Sequence, residues 1–210
     1  MNRVILSAST DETILAVTRQ HKLVDLEIEQ QINTEIVGCI YKGVVKNIVP
    51  AVDGIFVDIG IGKNAFLRRK DLLNEKRFPT EGSPILAQVI KSDTDMKGAL
   101  ITEKISMFGK YAVTLSGTGY IGVSKKIRQE SVRKRLKEIG KEICAEHMGL
   151  IIRTAAENAD MDEFRKDITR LKENWDIIQK RFRMEKSPTL LYRESDIIVK
   201  ALRDYVNKGT

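Results

Sequence analysis

The chain has 210 residues, 36 Lys and Arg against 29 Asp and Glu, a net charge of +7 and an isoelectric point near 9.3. With 42% hydrophobic and 31% charged residues it reads as a soluble folded protein with room for two domains, and its basic balance favours a polyanion: RNA, DNA or an acidic membrane surface. No apolar run approaches the roughly 20 residues that span a bilayer, and the first residues carry no signal-peptide pattern.

Cys39 and Cys144 stand alone, outside any Cys-x-x-Cys pair, so zinc ligation and thiol redox chemistry are not expected and a reducing cytoplasm is. His21 and His147 read as surface or partly buried side chains rather than ligands. Asp58, Asp93 and Asp95 share no known ligand spacing and read as strand-edge and loop acids.

In chain order, residues 1–34 predict a β-meander: Val4–Leu6, Thr13–Thr18 and Lys22–Ile28 are short β-rich runs, parted by turns at Ser9–Glu12 and Arg19–His21. Residues 35–103 carry five more candidate strands, Ile36–Ile48, Gly54–Ile59, Ala65–Leu67, Ile85–Lys91 and Ala99–Thr102. Glycines punctuate them, as the bends of a small barrel require. Arg68–Leu73 suits a short helix between the third and fourth. Five strands with that helix make an OB-fold barrel.

Within the barrel, Ile55, Val57 and Ile59 point to one face of a strand by their period of two, and Gly54, Phe56 and Asp58 point to the other. Phe56 thus stands on the face expected to meet water. Phe56 and Phe66 either stack on unpaired bases or fill a second small core under a loop.

Residues 104–198 change character. Val132, Leu136, Ile139 and Ile143 mark one face of a helix from Glu130 to Cys144, and Met148–Ile152 is a short strand. Phe164, Ile168, Leu171, Trp175, Ile178 and Phe182 then repeat at three and four, the clearest helix in the chain, with Asp160 and Glu163 as a capping box and Ser187-Pro188 as its stop. Eight lysines and arginines lie between Lys125 and Glu142 against three glutamates; they form either a phosphate-tracking stripe or a solvated helix face. From Ser195 to Val206 another amphipathic helix begins.

Ile40-Tyr-Lys-Gly43, Phe56-Val-Asp-Ile-Gly60, Asn64-Ala-Phe-Leu67, Lys97-Gly98, Gly149-Leu-Ile-Ile-Arg-Thr-Ala155, Leu191-Tyr-Arg-Glu194 and Arg203-Asp-Tyr205 resemble the ribonuclease E/G family of bacterial endoribonucleases. The resemblance runs through the whole chain in the family's order. It implies an α+β fold: an S1-type OB barrel at 35–103, inserted in a split and here incomplete RNase H-like subdomain. Residues 1–34 are that subdomain's first part, 104–198 an α/β five-prime sensor, and 199–210 the start of the return.

The resemblance further implies binding of single-stranded RNA on Phe56, Phe66 and Lys97, with Lys91 either beside them or a plain surface lysine. It implies recognition of a five-prime monophosphate by Gly109, Val113, Lys125, Arg153 and Thr154, in RNA processing and decay. Lys125 stands where the family often has arginine. Arg153 alone, without the resemblance, reads first as half of a structural salt bridge. The family's magnesium-binding aspartates and zinc link belong to later segments, so catalytic residues, magnesium and zinc are not expected here and the chain alone is expected to be inactive. Self-association through the incomplete RNase H-like part is a further expectation. Two rival readings are a non-enzymatic OB-fold RNA-binding protein of the translation machinery and a self-contained nuclease.

Overall fold

A computed structural model describes residues 2–9, 12–30, 36–94, 96–144, 148–193, 199 and 201. The expected helix from Ser195 to Val206 lies outside the described residues apart from Val199 and Ala201, as do Asp95 and His147. The chain divides into two compact units, one of 1–36 with 194–210 and one of 37–193.

In the first unit, β1 (Asn2–Ala8), β2 (Glu12–Arg19) and β3 (Lys22–Gln30) form an antiparallel meander in the order β1-β2-β3. The β2–β3 turn consists of Gln20 and His21, both at positive φ (49° and 64°), and Arg19 pairs with Lys22. That conformation gives the tight hairpin whose twist matches its strands. Leu15 and Val17 alternate inward on β2 and pack with Val4 and Ala201.

The second unit holds a closed barrel. Its strands are β4 (Ile40–Val49), β5 (Gly54–Asp58), β6 (Ala65–Arg68), β7 (Pro84–Lys91) and β8 (Leu100–Thr102). They run β4-β5-β6-β8-β7, and β7 pairs back onto β4. Closure leaves no free edge among these five. Ile55, Leu67, Ile101 and Val89 meet in register across β5, β6, β8 and β7 and are all within 1% of full burial. Arg69–Asp71 makes a single 3-10 turn in place of the expected short helix. A close approach requires Gly98: a Cβ there would lie 1.9 Å from the Asn64 carbonyl oxygen, so only glycine lets the β7–β8 loop settle on the start of β6.

A second sheet follows in the order β11-β12-β10-β9, from β9 (Ser106–Phe108), β10 (Ala112–Ser116), β11 (Ile121–Val123) and β12 (Met148–Ile152). Only β12 among them was expected from the sequence. Helices α1 (Glu130–Ile143) and α2 (Met161–Met184) pack on it. The helical spacing predicted both. Asp160 caps α2 by accepting from the amides of Asp162 and Glu163. Phe164, Ile168, Leu171 and Ile178 of α2 are buried with Leu136 and Ile139 of α1 against Leu150 and Ile152. Burying each such side chain contributes roughly 1.5–3 kcal/mol.

The chain then returns to the barrel, where β13 (Thr189–Tyr192) pairs with β4. The sequence alone assigns 104–198 to the α/β part, whereas this last strand joins the barrel. The end of α2 is tied to the barrel as well. Lys42 of β4 donates from Nζ to the carbonyls of Phe182 and Glu185, both at 2.7 Å, satisfying carbonyls that the helix end leaves open. Arg181 donates to the carbonyls of Leu190 and Leu191.

Candidate nucleic-acid interface

Two groups of side chains stand out, one on the barrel and one at an end of the four-stranded sheet. On the barrel, Phe56 pairs in register with Phe66 across β5 and β6, with ring centroids 5.4 Å apart and planes tilted by 50°. Phe66 lies opposite Leu100 on β8, Leu100 opposite Lys91 on β7, and Phe56 opposite Asn47 on β4. Residues opposite one another share a face of the sheet. Asn47, Phe56, Phe66, Leu100 and Lys91 therefore form one outward row, half-buried in the middle and exposed at both ends. The neighbouring inward row is the barrel core.

The ring of Phe66 lies over Gly54, where a Cβ would come within 2.3 Å of Phe66 Cζ. The missing side chain lets the ring rest on the strand. Lys97 follows in the β7–β8 loop, exposed, and exchanges backbone hydrogen bonds with Thr94. Gly98 presses this loop onto Asn64, two residues before Phe66, and Lys63 Nζ donates to the Thr94 carbonyl at 2.8 Å. Asp58 ends β5, pairs with Lys46 at 3.4 Å and accepts from the Gly60 amide.

At the sheet end, the turn after β9, the end of β11 and the end of β12 converge. Arg153 Nη1 donates to the Gly109 carbonyl at 2.8 Å, and the Arg153 amide donates to the Tyr111 carbonyl. The Thr154 hydroxyl lies 3.0 Å from the Ser124 hydroxyl, which puts Lys125 next to it in the chain. Val113 sits opposite Ile151 on β10 and β12, one step inside this end. Gly109, Val113, Lys125, Arg153 and Thr154 thus share one corner of the sheet. Gly109 is buried, Val113 and Arg153 are half-buried, and Lys125 and Thr154 are exposed.

Asp167, on the buried face of α2, is a part of this corner that sequence reasoning missed. Its carboxylate accepts from the Lys110 and Tyr111 amides at 3.2 and 2.8 Å and pairs with Arg170 at 3.1 Å. A Cβ on Gly109 would lie 2.4 Å from Asp167 Oδ2. In this structure the glycine thus makes room for the aspartate.

Tyr111 donates its hydroxyl to Glu163 at 2.8 Å. Burial first, then this bond and the neighbouring carboxylates, push its pKa from 10.0 up to about 12. A phenol whose folded-state pKa is raised contributes stability in full below its unfolded value and loses it as pH climbs through the folded one. Wild type and Tyr111→Phe should therefore show parallel urea-midpoint profiles below pH 10 and converge between pH 10 and about 12. Parallel profiles throughout would disprove the coupling. Burial also raises the pKa of the Cys144 thiol, which disfavours the reactive thiolate.

Among the described residues, no three His, Cys, Asp or Glu side chains converge where a metal ion could sit, and no helix is long and apolar enough to cross a membrane.

Comparison with known proteins follows the same division. Residues 106–210 match the model of the ribonuclease E/G family, and residues 34–102 match the S1 RNA binding domain. The chain is 33% identical to ribonuclease G of Escherichia coli over 97% of its own length and 45% of that protein's. It is 31% identical to ribonuclease E of Buchnera aphidicola over 99% of its own length and 23% of that protein's. Against ribonuclease E of Synechocystis sp. it is 34% identical over 85% of this chain and 28% of the relative. The chain thus spans less than half the length of these curated relatives.

Proposed function

The chain belongs to the ribonuclease E/G family, and on that premise we propose that it grips single-stranded RNA on the barrel and reads a five-prime monophosphate at the sheet corner. The observation that carries this reading is the outward row on the S1 barrel: two aromatic rings side by side, with Asn47 next to one and Leu100 then Lys91 beyond the other, on a barrel whose interior is filled by buried apolar side chains. Bases stack on such rings whatever their sequence, and the lysines Lys91 and Lys97 supply mobile charge for phosphates.

At the corner, a terminal monophosphate brings roughly 1.5–2 negative charges and more acceptor oxygens than an internal phosphodiester. The Arg153 guanidinium, steadied by the Gly109 carbonyl, offers forked donors. The Thr154 hydroxyl and the Lys125 ammonium add a donor and a charge, while Gly109 and Val113 meet the terminal nucleotide. This serves RNA processing and decay in the cytoplasm.

The split RNase H-like arrangement belongs to the same proposal. It is supported by the union of 1–36 with 194–210 in one compact unit and by Ala201 packing on Leu15 and Val17. The translation-machinery reading is not favoured, because residues 106–210, beyond the S1 barrel at 34–102, match the ribonuclease E/G family.

Titration with one oligonucleotide carrying either a five-prime monophosphate or a hydroxyl tests the corner. Charge-assisted hydrogen bonds contribute about 1.5–3 kcal/mol, so wild type should prefer the monophosphate at least tenfold. Arg153→Ala should abolish the preference, and Arg153→Lys should keep part of it. Equal binding of both ends by wild type would remove the sensor from the proposal.

A further inference from the structure

A groove between α1 and β11, the edge strand of its sheet, shares only Lys125 with the contacts above. It encloses about 500 Å³ and is lined by five cations against Glu130 and Glu138. Tyr120 stands in it, 64% exposed, with its ring across Gly122: a Cβ there would lie 2.7 Å from Tyr120 Cε1. This repeats the device of Phe66 over Gly54, an aromatic ring laid on a strand where a side chain is missing.

Lys134, Lys137 and Lys141 line the same groove at spacings of three and four, one face of α1. Leu136 and Ile139 are buried on the opposite face and fix that orientation. At roughly 1.5 Å per residue the stripe runs about 10 Å, the length of about three stacked nucleotides at roughly 3.4 Å each. Arg133 is turned back onto the carbonyls of Ser124 and Ile127 and anchors the loop before α1, with Glu130 beside it at 3.7 Å. Lys125 lines the groove at its other end and adjoins Ser124, the partner of Thr154.

We infer that this groove is a second track for single-stranded RNA, in which a base stacks on Tyr120 and the phosphates run along Lys134, Lys137 and Lys141. It rests on the RNA-binding reading above. A basic groove with an aromatic platform is how proteins hold single strands without sequence preference. The three residues of β11 are too short an edge to favour addition of a peptide strand.

The test uses the full chain and a five-prime-hydroxyl oligouridylate, with affinity measured against salt. Each phosphate neutralised on a single strand contributes roughly 0.7 to the slope of log affinity against log salt. Replacing Lys134, Lys137 and Lys141 together by glutamine should lower the slope by about 2. A charge-matched control with Lys22, Lys166 and Lys186 changed to glutamine should leave it unchanged. Tyr120→Ala should weaken binding about tenfold, and Tyr120→Phe should bind like wild type.

Equal slopes for the two triple variants, or full affinity in Tyr120→Ala, would overturn the groove. The Phe56/Phe66 variant, titrated alongside, and the Arg153 variants, titrated with the five-prime-monophosphate oligonucleotide, keep the two readings apart. If they show their losses while the groove variants do not, only the groove falls.

Discussion

Replacing Phe56 and Phe66 together by alanine is expected to weaken binding of a short single-stranded RNA about a hundredfold and to leave the barrel folded. Each base stacked on a ring contributes about 1–3 kcal/mol, and about 1.4 kcal/mol is tenfold in affinity. Two rings near the low end of that range give the hundredfold. The fold should survive because both rings lie outside the barrel, whose interior is filled by Ile55, Leu67, Ile101 and Val89. The single variants should not add up to the double, since the rings touch at 5.4 Å and share a surface. Gly54→Val should imitate Phe66→Ala, because its side chain would take the place of the Phe66 ring. Fluorescence anisotropy with labelled oligouridylate reads all of these. Wild-type affinity in the double variant would show that the rings serve packing alone.

Asp167→Ala is expected to cost about 2–4 kcal/mol in a urea melt. Its carboxylate accepts two backbone amides in the turn after β9, and it is only 7% exposed. Truncation leaves both amides without that acceptor, at about 1–3 kcal/mol for each buried unpaired group. The exposed side of the pair, Arg170, contributes little. Asp167→Asn keeps one acceptor oxygen and should fall between the two. The same turn supplies the Gly109 carbonyl that steadies Arg153, so Asp167→Ala should also blunt any preference for a five-prime monophosphate. A melt within about 0.5 kcal/mol of wild type, the usual range for surface changes, would show that the turn holds itself.

Legibility in the sequence tracked element length and regularity. Helix α2 announces itself through 24 residues of repeating apolar positions and an Asp160 cap. Strands β9 and β11 have three residues each, too few for any period to show, and β13 is visible only through its pairing with β4. The outward position of Phe56 could be read by parity, because β5 alternates without interruption. Asn47 and Lys91 could not be placed that way. A bulge between Val45 and Asn47 and another between Val89 and Lys91 each insert one residue. Each bulge turns a position that simple alternation assigns to the core out beside the rings. Asp167 left a trace that went unused: a carboxylate interrupting an apolar helix face needs a partner, and here that partner is a turn 56 residues away.

Lys42 and Arg181 bind the end of α2 and the strand after it to the barrel wall. The aromatic pair and the arginine corner consequently stand at a span that the protein, not the transcript, dictates. Such a coupling works as a gauge. Under the proposed function, a leader long enough to bridge it would gain both grips at the effective concentration of an intramolecular contact. One folded into a duplex close to its first nucleotide can engage only one grip at a time.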